Sequence, residues 1–414
     1  MITPLNKPHV LIFSFAYYPR FIGGAEVAIK EITDRIAPGD IEFDMITLCL
    51  DSRLPKYEKI GNVNIYRIGW STSKKFSTDS LPFYLNLNKY AYLLTGLSKA
   101  ISLNRKRKYD AIWSIMANYS SFAAVLFKLM HPKIPYLLTL QDGDPISYLK
   151  RRALPLYPLF KMIFTKADHI QTISNYLADW AKNMGAKCPV TVVPNAVDLE
   201  LFSKPISSQE AVDLKSKLGK KENDVFLVTT SRLVEKNAVG DIIESLKYLP
   251  ANIKLLILGQ GHEEGKLREL AIELGLNNGE STCKNNVKVI DRVQFLGFIS
   301  HKDMPPYLQI SDIFVRPSLS EGLGVSFLEA MAAGLPIIAT PVGGIPDFLK
   351  DGETGLFCEV GNPRSIAQKV EKLIKDKESR DYIIKNASKM IREKYQWIMI
   401  AKKMQEILVE KVFE

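Results

Sequence analysis

Two doubly wound α/β domains, each built on a parallel sheet, are predicted by three features of this sequence. Short apolar runs alternate with longer helical patterns along the whole chain, which is how parallel strands joined by crossover helices read. The chain has 414 residues, enough for two or three cores at roughly 100–200 residues each. A polar stretch interrupts the series near its middle. In the first half the strands are expected at Val10–Ser14, Phe43–Leu48, Asn64–Ile68, Ala111–Ile115, Tyr136–Leu140, His169–Ile173 and Val190–Val193. In the second half they are expected at Val225–Thr230, Lys254–Leu258, Val293–Leu296, Ile313–Arg316, Ile337–Thr340 and Gly355–Phe357. Between the series Asp198–Asn223, with Pro205 and a Ser-Ser pair, reads as a linker, which divides the chain into domains 1–200 and 201–388. After about residue 363 helical periodicity runs to the end. Ligands bind at the carboxyl ends of such strands, so the domains are expected to face each other across a cleft.

Composition narrows the class. At 46% hydrophobic and 24% charged the chain is an ordinary globular one, and disordered, collagenous and fibrous classes are excluded. Cys49, Cys188, Cys283 and Cys358 are far apart with no C-x-x-C pair, which fits a reducing compartment rather than a disulfide scaffold or zinc ribbon. The start MITPLNKPHVLIFSF lacks the features of a secretory signal. No run reaches the ~18 apolar residues of a membrane span, since even Ser121–Met130 is broken by Lys128. A cytoplasmic location is expected. Charge is unevenly spread: residues 1–200 hold 25 Lys/Arg against 16 Asp/Glu, and residues 201–414 hold 30 against 29. Basic clusters lie at Arg105-Lys106-Arg107-Lys108 and Lys150-Arg151-Arg152. The first half therefore suits a polyanion or an anionic membrane surface, or else presents a solvated basic face.

Four segments suit anion binding by backbone or side chain. Gly23-Gly24 lies between the first strand and a helical pattern carrying Ala25, Ala28, Ile29, Ile32 and Ile36. Such a pair lets a phosphate approach the helix amides, and a tight turn needing positive φ explains it equally well. Gly259-Gln260-Gly261 with Gly265 resembles a dinucleotide fingerprint with its third glycine one place late. The acidic residue at the right distance, Glu280, sits in a loop-like stretch, so turn glycines are the better reading. In RPSLSEGLGVSFLEAMAAGLPIIATPVGGIPD, residues 316–347, Gly322 and Gly324 free the amides at a helix start, which suits a diphosphate. Glu321 precedes that helix and Glu329 lies on its second turn. Phosphates would repel a carboxylate there, so Glu321 is suited to accept from hydroxyls. Glu329 sits among Leu328, Ala330 and Met331, where a charge needs a donor. Singly, a loop glutamate and an exposed helix edge account for the two equally well. Arg232 and Lys236 bracket a loop at a strand's carboxyl end. They supply the guanidinium and ammonium that a departing diphosphate needs, or they are ordinary surface charges.

At these residues the chain resembles glycosyltransferase family 4, retaining enzymes of the GT-B fold, over almost its whole length. The resemblance is carried by Glu321-x7-Glu329 with the continuation EAMAAGLPIIATPVGGIPDFLKDGETGLF, by Gly23-Gly24-Ala25-Glu26, by Val193-Pro-Asn-Ala-Val-Asp198 and by the Arg232/Lys236 loop. It implies that Arg232 and Lys236 neutralise the nucleotide diphosphate. It implies that Glu321 contacts the donor sugar, that Glu329 holds the ribose, and that the amides of Leu323, Gly324 and Val325 face phosphates and sugar. The glycine loop would carry Gly24 to the diphosphate from the opposite domain. The final helix, Lys389–Phe413, would pack back onto the first domain.

The sequence departs from the family pattern in places. Arg232 and Lys236 are four residues apart where many members have five, and Gln141-Asp142 follows a strand after which many have a His. Asp142-Gly-Asp144 imitates the D-x-D metal motif of another transferase fold, and in this context no metal is expected. Tyr148–Lys166 places Leu149, Leu156, Phe160 and Ile163 near one face beside Lys150–Arg152, as a core helix interrupted by Pro155 and Pro158 or as a membrane-surface contact. The expected activity is retaining transfer of a hexose from a UDP- or GDP-sugar to a hydroxyl of a glycan or lipid-linked acceptor, as in cell-envelope polysaccharide assembly. No cofactor and no nucleic-acid partner are expected, and the enzyme would be cytoplasmic or peripheral on the inner face of the membrane. A nucleotide-sugar epimerase or hydrolase of related fold, an NAD-dependent oxidoreductase and a nucleic-acid-binding protein are the alternatives.

Overall fold

The computed structural model describes residues 7–20, 22–73, 83–277 and 292–411. The chain forms two units, Met1–Ala196 with Trp397–Glu414, and Val197–Gln396. The first unit runs β1 (His9–Phe13), α1 (Gly24–Arg35), β2 (Glu42–Leu48), β3 (Tyr57–Ile60), β4 (Val63–Ile68), α2 (Phe83–Lys106), β5 (Ala111–Ile115), α3 (Tyr119–Met130), β6 (Tyr136–Leu140), α4 (Ile146–Ala153), α5 (Tyr157–Thr165), β7 (His169–Thr172), α6 (Asn175–Asn183) and β8 (Val190–Val192). Its sheet has the order β3-β4-β2-β1-β5-β6-β7-β8. All neighbours are parallel except β3 and β4. The central strand β1 is fully buried from Val10 to Phe13, as a strand covered on both faces must be.

The second unit runs α7 (Leu199–Ser203), α8 (Ser208–Lys217), β9 (Val225–Thr230), α9 (Val239–Ser245), β10 (Ile253–Leu258), α10 (Glu264–Glu273), β11 (Val293–Gly297), α11 (Pro305–Gln309), β12 (Ile313–Arg316), α12 (Val325–Ala332), β13 (Ile337–Ala339), β14 (Leu356–Phe357), α13 (Pro363–Lys375) and α14 (Lys377–Lys394). Its parallel sheet has the order β11-β10-β9-β12-β13-β14. Helix α13 shows how the sequence sets an element. Asn362 caps it by accepting from Ser365 N at 3.2 Å, Pro363 opens it, and Ile366, Ala367, Val370 and Leu373 bury one face. The last helix, α15 (Trp397–Lys411), packs its Trp397, Ile400, Met404 and Leu408 into the first unit's core with Ile29 and Ile32 of α1.

Three expectations are corrected, and one strand is added. Asp198–Asn223 is not an open linker: it folds as α7 and α8, capped by Asp198 and Ser207, and belongs to the second unit. The unit boundary is therefore at 196/197, and the return to the first unit begins at Trp397, because residues 389–394 finish α14. Strand β3 was not anticipated. YEKI alternates exposed and half-buried residues, so it carries no apolar run to reveal it. The helical stretch Tyr148–Lys166 is interrupted at its prolines as expected, into α4 and α5 joined by a 3₁₀ turn at Leu154–Leu156. Phe160 and Ile163 lie in the core, whereas Leu156 is exposed.

Candidate functional site

At the carboxyl edge of the second unit's sheet, the loops after β9, β10 and β12 are bound to one another. The loop after β9 carries Arg232, which is exposed, and Lys236, which is half-buried. Its backbone is held on one side by the loop after β10, with Ser231 N donating to Leu258 O at 3.1 Å and Leu233 N to Gln260 O at 3.0 Å. On the other side Leu319 N, after β12, donates to Lys236 O at 2.7 Å. Asn237 closes the loop from within, its Nδ2 donating to Arg232 O at 2.7 Å. The two cations thus stand on a backbone fixed at both ends.

The β10 loop lies close against this one, and that closeness explains its glycines. A Cβ on Gly259 would come within 1.8 Å of Ser231 O, and one on Gly261 within 2.1 Å of Leu233 O. Both are turn glycines imposed by backbone packing, which removes the ground for a dinucleotide fingerprint here. Glu280, the acidic residue considered with them, lies outside the described residues.

After β12 the chain presents Glu321 and then α12. Gly324 is the residue before the helix, with φ 86°, a left-handed conformation that disfavours any side chain. The amides of Val325 and Ser326 precede the first intrahelical acceptor and carry the positive end of the helix dipole, while Phe327 N donates to Gly324 O at 3.1 Å. Leu323 is buried and anchors the turn. Neither glutamate is a plain surface residue: Glu321 and Glu329 are both buried. Arg316 Nη2 reaches Glu321 Oε2 at 2.5 Å, and His301 Nε2 lies 2.9 Å from Glu329 Oε1. The His301 ring meets Phe202 of α7 edge-on at 4.9 Å between centroids.

Arg316 is the residue that sequence reasoning passed over. It ends β12, is nearly buried, and bonds to three elements at once. Its Nη1 donates to Ser326 Oγ at 2.6 Å, and its Nη2 to Asn237 Oδ1 at 3.1 Å as well as to Glu321. It also stacks over Phe327, 5.4 Å from the ring centroid. One guanidinium therefore joins the Arg232–Lys236 loop, Glu321 and the first turn of α12. The available signal was a charge closing the buried run IFV, since a charge there must find partners. His301 gave no such signal, because it stands in a polar loop and meets Glu329 only through the fold.

In the first unit Gly23 caps α1 and Gly24 begins it. Gly23 has φ −113° and Gly24 is not in the left-handed region either, so the positive-φ explanation of the pair fails. A Cβ on Gly24 would meet nothing within 4 Å. At Gln141 the side-chain Oε1 accepts from Asn195 Nδ2 at 3.1 Å, and the neighbouring Asp142 is buried.

Comparison with known proteins places the whole chain. Residues 22–201 match the model of Glycosyltransferase Family 4, and residues 212–390 that of Glycosyl transferases group 1. The uncharacterized glycosyltransferase MJ1607 of Methanocaldococcus jannaschii is 25% identical over 95% of this chain and 96% of its own. Among solved structures, sucrose-phosphate synthase from Thermosynechococcus elongatus superposes with a TM-score of 0.79 at 19% identity, covering 98% of this chain and 99% of that one. Anabaena HepE in complex with UDP-glucose gives 0.73 at 18% identity, over 97% and 99%.

Proposed function

Because this chain belongs to glycosyltransferase family 4 and has the GT-B fold, we propose that it moves a hexose from a UDP- or GDP-sugar to a hydroxyl of a glycan or lipid-linked acceptor, with retention at the anomeric carbon. The observation that carries this reading is the bracing of the Arg232–Lys236 loop against the segment holding Glu321 and the start of α12. Two fixed cations and a set of helix-start amides on one braced edge suit a nucleotide diphosphate leaving group. HepE, similar in fold, is a structure in complex with UDP-glucose, which favours a nucleotide-sugar donor.

In this reading the bond from the anomeric carbon to the β-phosphate oxygen breaks, and the acceptor oxygen bonds to the same face of that carbon. The acceptor's proton passes to a phosphate oxygen of the leaving group. Arg232 and Lys236 stabilise the charge that builds on the diphosphate, aided by the amides of Leu323, Gly324 and Val325. Arg316 fixes the Glu321 carboxylate, whose remaining lone pairs can accept from donor-sugar hydroxyls. Glu329, held by His301, has lone pairs left for ribose hydroxyls. Fixed cations do the neutralising, so transfer is expected to survive excess chelator. The enzyme works in the cytoplasm, peripheral to the inner face of an anionic membrane. The support for that placement is the excess of Lys and Arg in residues 1–200, 25 against 16 acidic residues.

The test separates the glutamates after a donor screen. Thermal shift with UDP- and GDP-sugars identifies the donor, since a ligand raises apparent stability by mass action. Calorimetry with the matching nucleotide diphosphate should then show weakened binding for Glu329→Ala and nearly unchanged binding for Glu321→Ala, whose loss falls on transfer. Equal losses of nucleotide affinity would remove the division of roles.

A further inference from the structure

Two arginines at the carboxyl edge of the first unit's sheet meet one buried carboxylate. Past their strand ends β2 and β4 stay joined, with Thr72 N donating to Leu50 O and Ser52 N to Thr72 O, both at 3.1 Å. This pairing carries Asp51 to the edge with its side chain only 5% exposed. Its Oδ1 accepts from Arg53 N at 3.0 Å and from Arg53 Nε at 2.9 Å, and its Oδ2 from Arg53 Nη2 at 2.5 Å. Arg20, from the loop after β1, sets its Nε 3.8 Å from the same Oδ2. The bonds from Arg53 hold the Asp51 carboxyl down to about 2, so it stays charged.

A third arginine fixes both loops. Arg67 of β4, its side chain 2% exposed, donates from Nη2 to Tyr18 O at 2.8 Å and from Nη1 to Pro55 O at 2.9 Å. Tyr18 and Pro55 each lie two residues from the arginine of their own loop, Arg20 and Arg53. Glu58 Oε1 balances Arg67 at 2.5 Å. Burying a carboxylate and a guanidinium this far is costly unless both are well bonded. In return the fold holds an exposed cation in a fixed position. Arg53 is 55% exposed, and Asp51 takes two of its five guanidinium N–H groups. The other three have no partner among the described residues. Charge points the same way: residues 14–23 and 49–56 carry Arg20, Arg53 and Lys56 against Asp51 alone.

We propose that Arg53, with Arg20 beside it, binds a phosphate group carried by the acceptor. The proposal rests on the transferase reading for the existence of an acceptor and adds its chemical class. Ligands of doubly wound sheets bind at this edge. A carboxylate has two oxygens, and one guanidinium fork fills them, as Arg53 already does for Asp51. A phosphate offers three or more, so it can accept from arginines on two loops at once.

The probe is inorganic phosphate, titrated by calorimetry into the full chain already saturated with its nucleotide diphosphate. With the donor site filled, phosphate should still bind, and malonate should bind about tenfold more weakly, the scale of one charge-assisted bond. Arg53→Gln should weaken phosphate about tenfold to a hundredfold, and Arg53→Lys, which keeps the charge and loses the fork, should recover only part of that. Melting curves of both variants check that the chain is folded. Competition by glycerol phosphate and by dodecyl phosphate then tells the sources apart: stronger displacement by the first marks a soluble acceptor, by the second a lipid-linked one. The nucleotide diphosphate titration that comes first tests the donor reading by itself, so the two failures are distinguishable. Three outcomes would overturn the proposal: no phosphate binding beside the bound nucleotide diphosphate, malonate bound as well as phosphate, or phosphate affinity indifferent to Arg53→Gln.

Discussion

The carboxyl edges of the two sheets occupy the same place in their units and are braced by different chemistry. In the second unit a nearly buried ion pair, Arg316 with Glu321, ties together the β9 loop, the β12 loop and α12. In the first unit the loops after β6 and β8 are joined by a neutral link, Asn195 Nδ2 to Gln141 Oε1 at 3.1 Å, and the ionic contact between the loops after β1 and β2, Arg20 Nε with the buried Asp51 Oδ2, is longer at 3.8 Å. Outer surfaces differ as well. On α2 the first unit exposes Phe83, Leu87, Tyr90 and Leu94, and residues 1–200 carry nearly all the net positive charge. One edge is cross-linked by a short, nearly buried ion pair, whereas the other is joined by longer contacts in a unit with a broad cationic, partly apolar face.

The largest effect should come from removing the second unit's hub. Arg316→Leu leaves Glu321 buried without its cation, and breaking one partner of a buried pair costs about 3–5 kcal/mol. Asn195→Ala in the first unit removes a neutral hydrogen bond worth about 1 kcal/mol. Thermal melts of the two variants decide whether the contrast is real. Similar melting shifts would show that the two edges are equally rigid. Arg316→Lys keeps the charge and loses the fork, so it should recover more stability than transfer.

Next in size is the diphosphate clamp. Arg232→Ala or Lys236→Ala should lower turnover by about 10²–10³, the scale for one lost charge-stabilising donor. Both should shift melting less than Arg316→Leu does, since the backbone of this loop is held by its own hydrogen bonds and by Asn237. Steady-state rates beside melting curves separate the two effects. Wild-type turnover in both variants would take the clamp away from this loop.

The contrast also explains what could be read in advance. Buried parallel strands are near-continuous apolar runs, so β5, β6, β9 and β12 were legible to the residue. Edge strand β3 was not, because an exposed edge is written in polar residues. At the site, Arg232, Lys236, Glu321 and Glu329 stood out because charge sat beside glycines or apolar runs. Arg316 and His301 did not, because their meaning is a partner: Glu321 lies five residues away around a turn, and Glu329 is reached only through the tertiary fold. The exposed stripe of α2 was illegible for a related reason. Apolar residues at helical spacing on both sides of a helix look alike until the packing shows which side is covered.

The smallest structural effect belongs to Gly24, and it tests whether the first unit's edge also meets the donor. Its backbone lies outside the left-handed region and its Cβ would meet nothing within 4 Å, so the fold places no demand for glycine there. Gly259 is the opposite case, with Ser231 O only 1.8 Å from where its Cβ would be. Gly259→Ala should therefore disturb the second unit, whereas Gly24→Ala should leave melting within about 0.5 kcal/mol of wild type or slightly raise it by restricting the unfolded chain. A donor phosphate lying against the start of α1 would use the space that the missing side chain leaves open. Gly24→Ala should then cut transfer about tenfold, the scale of forcing a methyl group into occupied space, with no loss of stability. Unchanged transfer in a stable Gly24→Ala protein would show that the space is vacant during the reaction. The glycine would then serve neither fold nor ligand.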